Sequence, residues 1–178
     1  MNRLSLDRFV QAQECIYTKA FSEIQSGRKK THWMWFIFPQ LRGLGKSLMS
    51  YTYGIADLEE AKVYLADPIL GPRLERISAE LLKLEETDPE VIFGTIDAMK
   101  LQSCMTLFAQ ANENPDSVYR KVLERYFDQE EDVKTLRILL SQLWEKRPIG
   151  LHTRGRYVPK KYRKALQPIK RGKKKDEK

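Results

Sequence analysis

Apolar positions recur at three- and four-residue steps along most of this chain. Leu6, Phe9, Val10, Gln13, Ile16, Tyr17, Ala20, Phe21 and Ile24 keep that rhythm, which marks one face of an amphipathic helix. Ser5 can cap its start, and Gly27 can end it in a left-handed turn. The rhythm then gives way to seven consecutive large side chains, His32 to Phe38, bracketed by a basic stretch and a Gly-containing turn. Aromatic and Ile content favours a strand there. Thr31 as a cap and Pro39 as a stop would equally frame two turns of buried helix. The helical character of the surroundings tips the expectation to helix.

The helical spacing resumes over Lys46–Tyr53, which Gly54 closes. Asp57 with Glu60 forms a variant capping box before Leu58, Ala61, Tyr64 and Leu65. Pro72 suits the first residue of the next helix, whose buried stripe is Leu74, Ile77, Leu81, Leu82 and Leu84. After the Asp88-Pro89 break and a short apolar run at Val91–Phe93, Asp97 is placed to cap a helix over Ala98–Ala111. Two further helices follow, over Val118–Phe127 and from Val133 to a stop near Pro148. Without alternating strands or an internal repeat, the pattern predicts an all-α protein: a compact single domain of about seven helices over residues 1–147.

Charge divides the chain in the same place. Residues 146–178 hold 14 Lys and Arg against Asp176 and Glu177, a net +12, so residues 1–145 carry −4 of the total +8. The segment 148–178 is therefore expected to be a basic, largely disordered tail. It would bind nucleic acid weakly and without sequence preference, through counterion release. The preceding domain, mildly acidic, would not. No stretch approaches the roughly 18 apolar residues of a membrane span. The N-terminal residues lack a secretory signal pattern. Cys15 and Cys104 lie in helical patterns and read as reduced thiols. A cytoplasmic protein without metal or cofactor is the expectation, since Cys and His at zinc-ligand spacing are absent.

Six ordered blocks carry a family resemblance: Leu6–Gln13, Gly27–Gln40, Tyr53–Ile55, Leu70–Leu74, Phe93-Gly94 and Ser103–Phe108. Over about residues 4–145 the chain resembles the family known as domain of unknown function 1810, some of whose bacterial members are labelled "calpastatin". The resemblance implies a compact, mainly helical domain and carries no activity with it. Where the family often reads Pro-Asp-Asp, this chain has Thr95-Ile96-Asp97, so only Asp97 matches. A fainter similarity, to the family that acts on ADP-ribose-linked N-glycosides, rests on an early Gln- and Ala-bearing helix, the Trp-rich segment and a late helix with a charged residue and a Phe. It implies hydrolysis of an N-glycosidic bond, with Asp97 steering water or stabilising an oxocarbenium-like centre.

The candidate chemistry gathers around the aromatic run. His32 can move a proton near neutral pH; a His tied to a backbone carbonyl is the plainer reading. Trp33 and Trp35 can stack on a flat ligand. Two residues apart on a helix point in different directions, so one Trp can fill the core while the other lines a cleft. Backbone amides of the Gly43–Gly45 turn can cradle an anion, with Arg42 or Lys46 pairing to it. Asp97, Lys100 and Ser103 follow steps of three and share a helical face. The expected site is a pocket with His32 and Asp97 as candidate catalytic groups and Trp33, Gln40, Arg42 and Lys100 as ligand contacts. Its expected occupant is a small anionic or nucleotide-like molecule. A purely structural role, with the aromatic run wholly in the core, is the competing expectation.

Overall fold

The computed structural model describes residues 6–145 and 158–166. Ten α-helices run in order: α1 (Asp7–Glu14), α2 (Tyr17–Gln25), α3 (Met34–Ile37), α4 (Leu48–Thr52), α5 (Leu58–Ala66), α6 (Leu70–Leu81), α7 (Pro89–Phe93), α8 (Thr95–Ala111), α9 (Val118–Phe127) and α10 (Val133–Glu145), followed by a 3-10 helix at Lys160–Leu166. Among the described residues the only strand-like pairing is an isolated parallel bridge between Leu41 and Ile55. The all-α class holds, but the count exceeds the seven expected. The first predicted helix is two, broken at Cys15-Ile16, and the apolar run Val91–Phe93 belongs to a helix of its own.

Helix α8 forms the centre, packing against α5, α7, α9 and α10. Its residues Leu101, Cys104, Met105, Leu107 and Phe108 are all fully enclosed, as suits a helix that is apolar nearly all round. Burial pushes the Cys104 thiol well above its ordinary range, so it packs as a small apolar group. A row of rings crosses the core: Phe9 meets Tyr64 at 5.2 Å, Tyr64 meets Phe108 at 5.2 Å, and Phe108 meets Tyr119 at 5.8 Å. Gln13, buried beside it, donates to the Phe36 carbonyl at 2.8 Å and to the Tyr64 hydroxyl at 3.0 Å.

Local signals survive in part. Gly27 takes the left-handed conformation at φ +69°. The Asp57–Glu60 box forms: the Glu60 N–H donates to Asp57 Oδ1 at 2.9 Å, and Glu60 Oε2 accepts from the Ala56 N–H at 2.6 Å. Asp97, by contrast, does not cap α8. The helix begins two residues earlier, after Gly94 at φ +75°, and Asp97 falls in its first turn. Pro72 likewise sits within the first turn of α6 and is not its first residue. Ser5 and the boundary near Pro148 lie outside the described residues. Of the expected tail, which could be locally helical, residues 160–166 form the 3-10 helix against α10, with Tyr162 buried; most of the tail, and with it the nucleic-acid reading, lies outside the described residues. Among the described residues no helix is long and apolar enough to cross a membrane, and no cluster of His, Cys, Asp and Glu could hold a metal ion.

Candidate functional site

The aromatic run is fixed by a carboxylate that the sequence did not single out. Glu23, in the last turn of α2, accepts from the Lys30 N–H at 2.8 Å, the Thr31 N–H at 3.0 Å, the Thr31 hydroxyl at 2.7 Å and the Trp33 indole N–H at 2.8 Å. Burial alone would raise its pKa, but these hydrogen bonds outweigh it and hold the group down to about 2, from an ordinary 4.5. Thr31 therefore serves this network and does not cap a helix. Trp33 is 0% exposed and packs against Phe38 and Phe93 at 6.1 and 6.4 Å between ring centroids. Only one helical turn, Met34–Ile37, follows it. The signal that could have found Glu23 is its position: a carboxylate near a helix C-terminus opposes the dipole and needs compensation.

Asp97 lies between two lysines. Its Oδ2 meets Lys29 Nζ at 2.7 Å and its Oδ1 meets Lys100 Nζ at 2.7 Å. The Lys29 ammonium rests 5.0 Å from the Trp33 ring centre, and the Lys100 ammonium 4.5 Å from that of Trp35. Indole, ammonium, carboxylate, ammonium and indole thus form one continuous row, with each cation also drawn to a ring face. Burial would raise the Asp97 pKa, yet the two lysines, by hydrogen bonding and by charge, leave it lowered.

Beyond Trp35 opens a cleft of about 700 Å³. Its lining includes Trp35, Gln40 and Lys100, the Leu44–Ser47 loop, and Glu130 to Lys134 at the start of α10. Ile96 and Met99, 71% and 57% exposed, form an open apolar rim. Much of the acidic wall has structural work. Asp132 caps α10: its oxygens accept from the Lys134 and Thr135 N–H groups, the Ser103 hydroxyl at 2.9 Å and the Thr135 hydroxyl at 2.6 Å. Glu131 Oε1 accepts from the Gln110 amide at 2.6 Å and has Arg120 Nη1 at 4.0 Å. Lys46 and Lys134 have no salt-bridge partner among the described residues.

The expected site residues divide accordingly. Gln40 and Lys100 line the cleft. Trp33 does not; the two tryptophans exchange roles, with Trp33 in the core and Trp35 on the wall. His32 is exposed at the end of the Glu23-bonded loop and is not part of the lining. Asp97 sits behind Lys100 and touches the cleft only through it. Arg42 turns away to donate to the Gly54 carbonyl at 3.2 Å, with its guanidinium 5.0 Å from the Tyr51 ring centre. Lys46, Ser103, Asp132 and Lys134 also line it. Asp132 was detectable as an acid directly ahead of an apolar helical run.

An all-helical domain with an open cleft beside the half-buried Trp35 defines the class of protein. The chain belongs to the family described as "Protein of unknown function (DUF1810)", which matches residues 3–139. The crystal structure of the conserved hypothetical protein Rv1873 from Mycobacterium tuberculosis is similar to it, at 43% sequence identity and a TM-score of 0.75, over 78% of this chain and 98% of that one. No curated protein matches the chain.

Proposed function

We propose that this protein binds a small anionic organic ligand, nucleotide-like in joining a flat ring to a charged group, in the cleft beside Trp35. The supporting observation is the pairing of a half-buried indole with an excess of uncommitted cations. Among the described residues Lys46 and Lys134 face the cleft without salt-bridge partners, whereas Asp132 and Glu131 are engaged by a helix cap and by Gln110. Glu130 is the one lining carboxylate left without a hydrogen bond among the described residues. Two free ammonium groups against one free carboxylate favour an anion. Apolar Ile96, Met99 and Leu44 suit the organic body. Hydrolysis of an N-glycosidic bond is not part of this reading, because both Asp97 oxygens are held by ammonium groups and Asp97 does not line the cleft.

Thermal-shift titration with nucleotides and ADP-ribose derivatives tests the proposal. A saturable rise in melting temperature is expected for at least one of them, and Trp35→Ala should abolish it while still unfolding cooperatively. A flat response across the whole set overturns the reading.

A further inference from the structure

Building on that cleft reading, we infer that the ligand is a phosphate ester, and that the loop Gly43–Ser47 receives its phosphate together with Lys134. The backbone N–H groups of Gly43, Gly45, Lys46 and Ser47 donate to no acceptor among the described residues, although those of Arg42 and Ser50 on either side do. Leu44 to Ser47 line the cleft. Gly43, at φ +98°, turns the chain into the loop. At Gly45 an added Cβ would stand 2.7 Å from Ser50 Cβ and Oγ, so the bare backbone folds tightly here. Successive unbonded N–H groups beside a left-handed residue form a concavity suited to an anion.

The surrounding chemistry narrows the ligand. The loop carries Lys46, and Lys134 lines the same cleft. Both are compact point charges, which phosphate accepts from several directions. At the start of α10 the Lys134 and Thr135 N–H groups are already taken by Asp132. That leaves the phosphate to the loop and to the two lysine side chains. The organic part then extends toward Trp35 and Met99.

The test is amide NMR on the full-length protein, titrated separately with adenosine, ADP and pyrophosphate. ADP and pyrophosphate should shift the Leu44–Ser47 amide protons saturably. Lys46→Ala and Lys134→Ala, both at exposed positions, should each raise the ADP Kd roughly tenfold, the loss expected for one charge-assisted contact. Adenosine should move the Trp35 indole signal and leave the loop amides still. If adenosine binds as tightly as ADP, the loop stays silent and both lysine variants bind normally, the phosphate inference is wrong while the cleft reading stands. If no probe moves either Trp35 or the loop, both fail. If pyrophosphate shifts amides elsewhere and not these, the placement of the phosphate is wrong.

Discussion

Replacing Glu23 by alanine should cost about 3 kcal/mol or more of folding stability, since hydrogen bonds to a buried charged group contribute roughly 1.5–3 kcal/mol each and their removal strands the donors. The substitution leaves the Trp33 indole N–H without an acceptor inside the core and frees the Lys30 and Thr31 amides to water. Urea denaturation monitored by circular dichroism measures the loss; a change below about 1 kcal/mol would refute the anchoring role given to this carboxylate. The same group predicts an acid response. Its folded pKa, about 2, lies below the ordinary 4.5. Between those values the unfolded chain binds the extra proton, so stability rises with pH through this window. It is complete above about 4.5 and disappears as pH falls towards about 2. The lowered Asp97 adds to the slope in the same direction. Glu23→Gln should flatten the part of the acid slope that Glu23 supplies.

Gly71→Ala should be comparably severe, at about 3 kcal/mol, which is the upper range for forcing volume into a filled core. The position is buried in the first turn of α6, and a Cβ there would lie 2.1 Å from the Leu65 carbonyl oxygen and 2.9 Å from its carbon. Those atoms are backbone of α5, so relief requires the two helices to separate. Gly27→Ala is the control. It has open space around it and pays only for its φ of +69°, about 1–2 kcal/mol. If the two variants unfold at the same urea concentration, the close approach of α5 and α6 is not what Gly71 provides.

The legible parts of this molecule are those decided within a few residues. Helical spacing, the Asp57–Glu60 box and the left-handed Gly27 needed no tertiary information. The break between α1 and α2 was hidden, because Gln13, Ile16 and Tyr17 keep helical spacing across it and neither Gly nor Pro marks it. The aromatic run misled for a related reason. Seven large side chains in a row carry no periodicity, so which tryptophan turned inward depended on partners remote in sequence. Glu23 draws the indole of Trp33 inward, and Lys100 of α8 settles over Trp35. Asp97 looked like a helix cap or a catalytic acid by its sequence position. Its actual role follows from Lys29, which belongs to a loop 68 residues away and whose amide is bonded to the Ile92 carbonyl at 2.8 Å. No local rule pairs those segments.

The bridge between Leu41 and Ile55 carries one more consequence, for how the cleft moves. The Arg42 N–H donates to the Ile55 carbonyl at 2.8 Å and the Ile55 N–H to the Gln40 carbonyl at 2.9 Å, so the chain leaves and returns through a narrow neck. Everything between, including the lining loop and α4, is an excursion, and α4 buries none of its residues. The tip of the excursion, residues 45–48, is exposed, whereas its base is anchored by Tyr53, packed on Phe9 and Phe36, and by Leu41 and Ile55, both enclosed in the core. A segment with so exposed a tip is expected to open at a lower free energy than the core unfolds. The excursion supplies part of the cleft lining, so an occupant would raise its opening free energy more than that of the core.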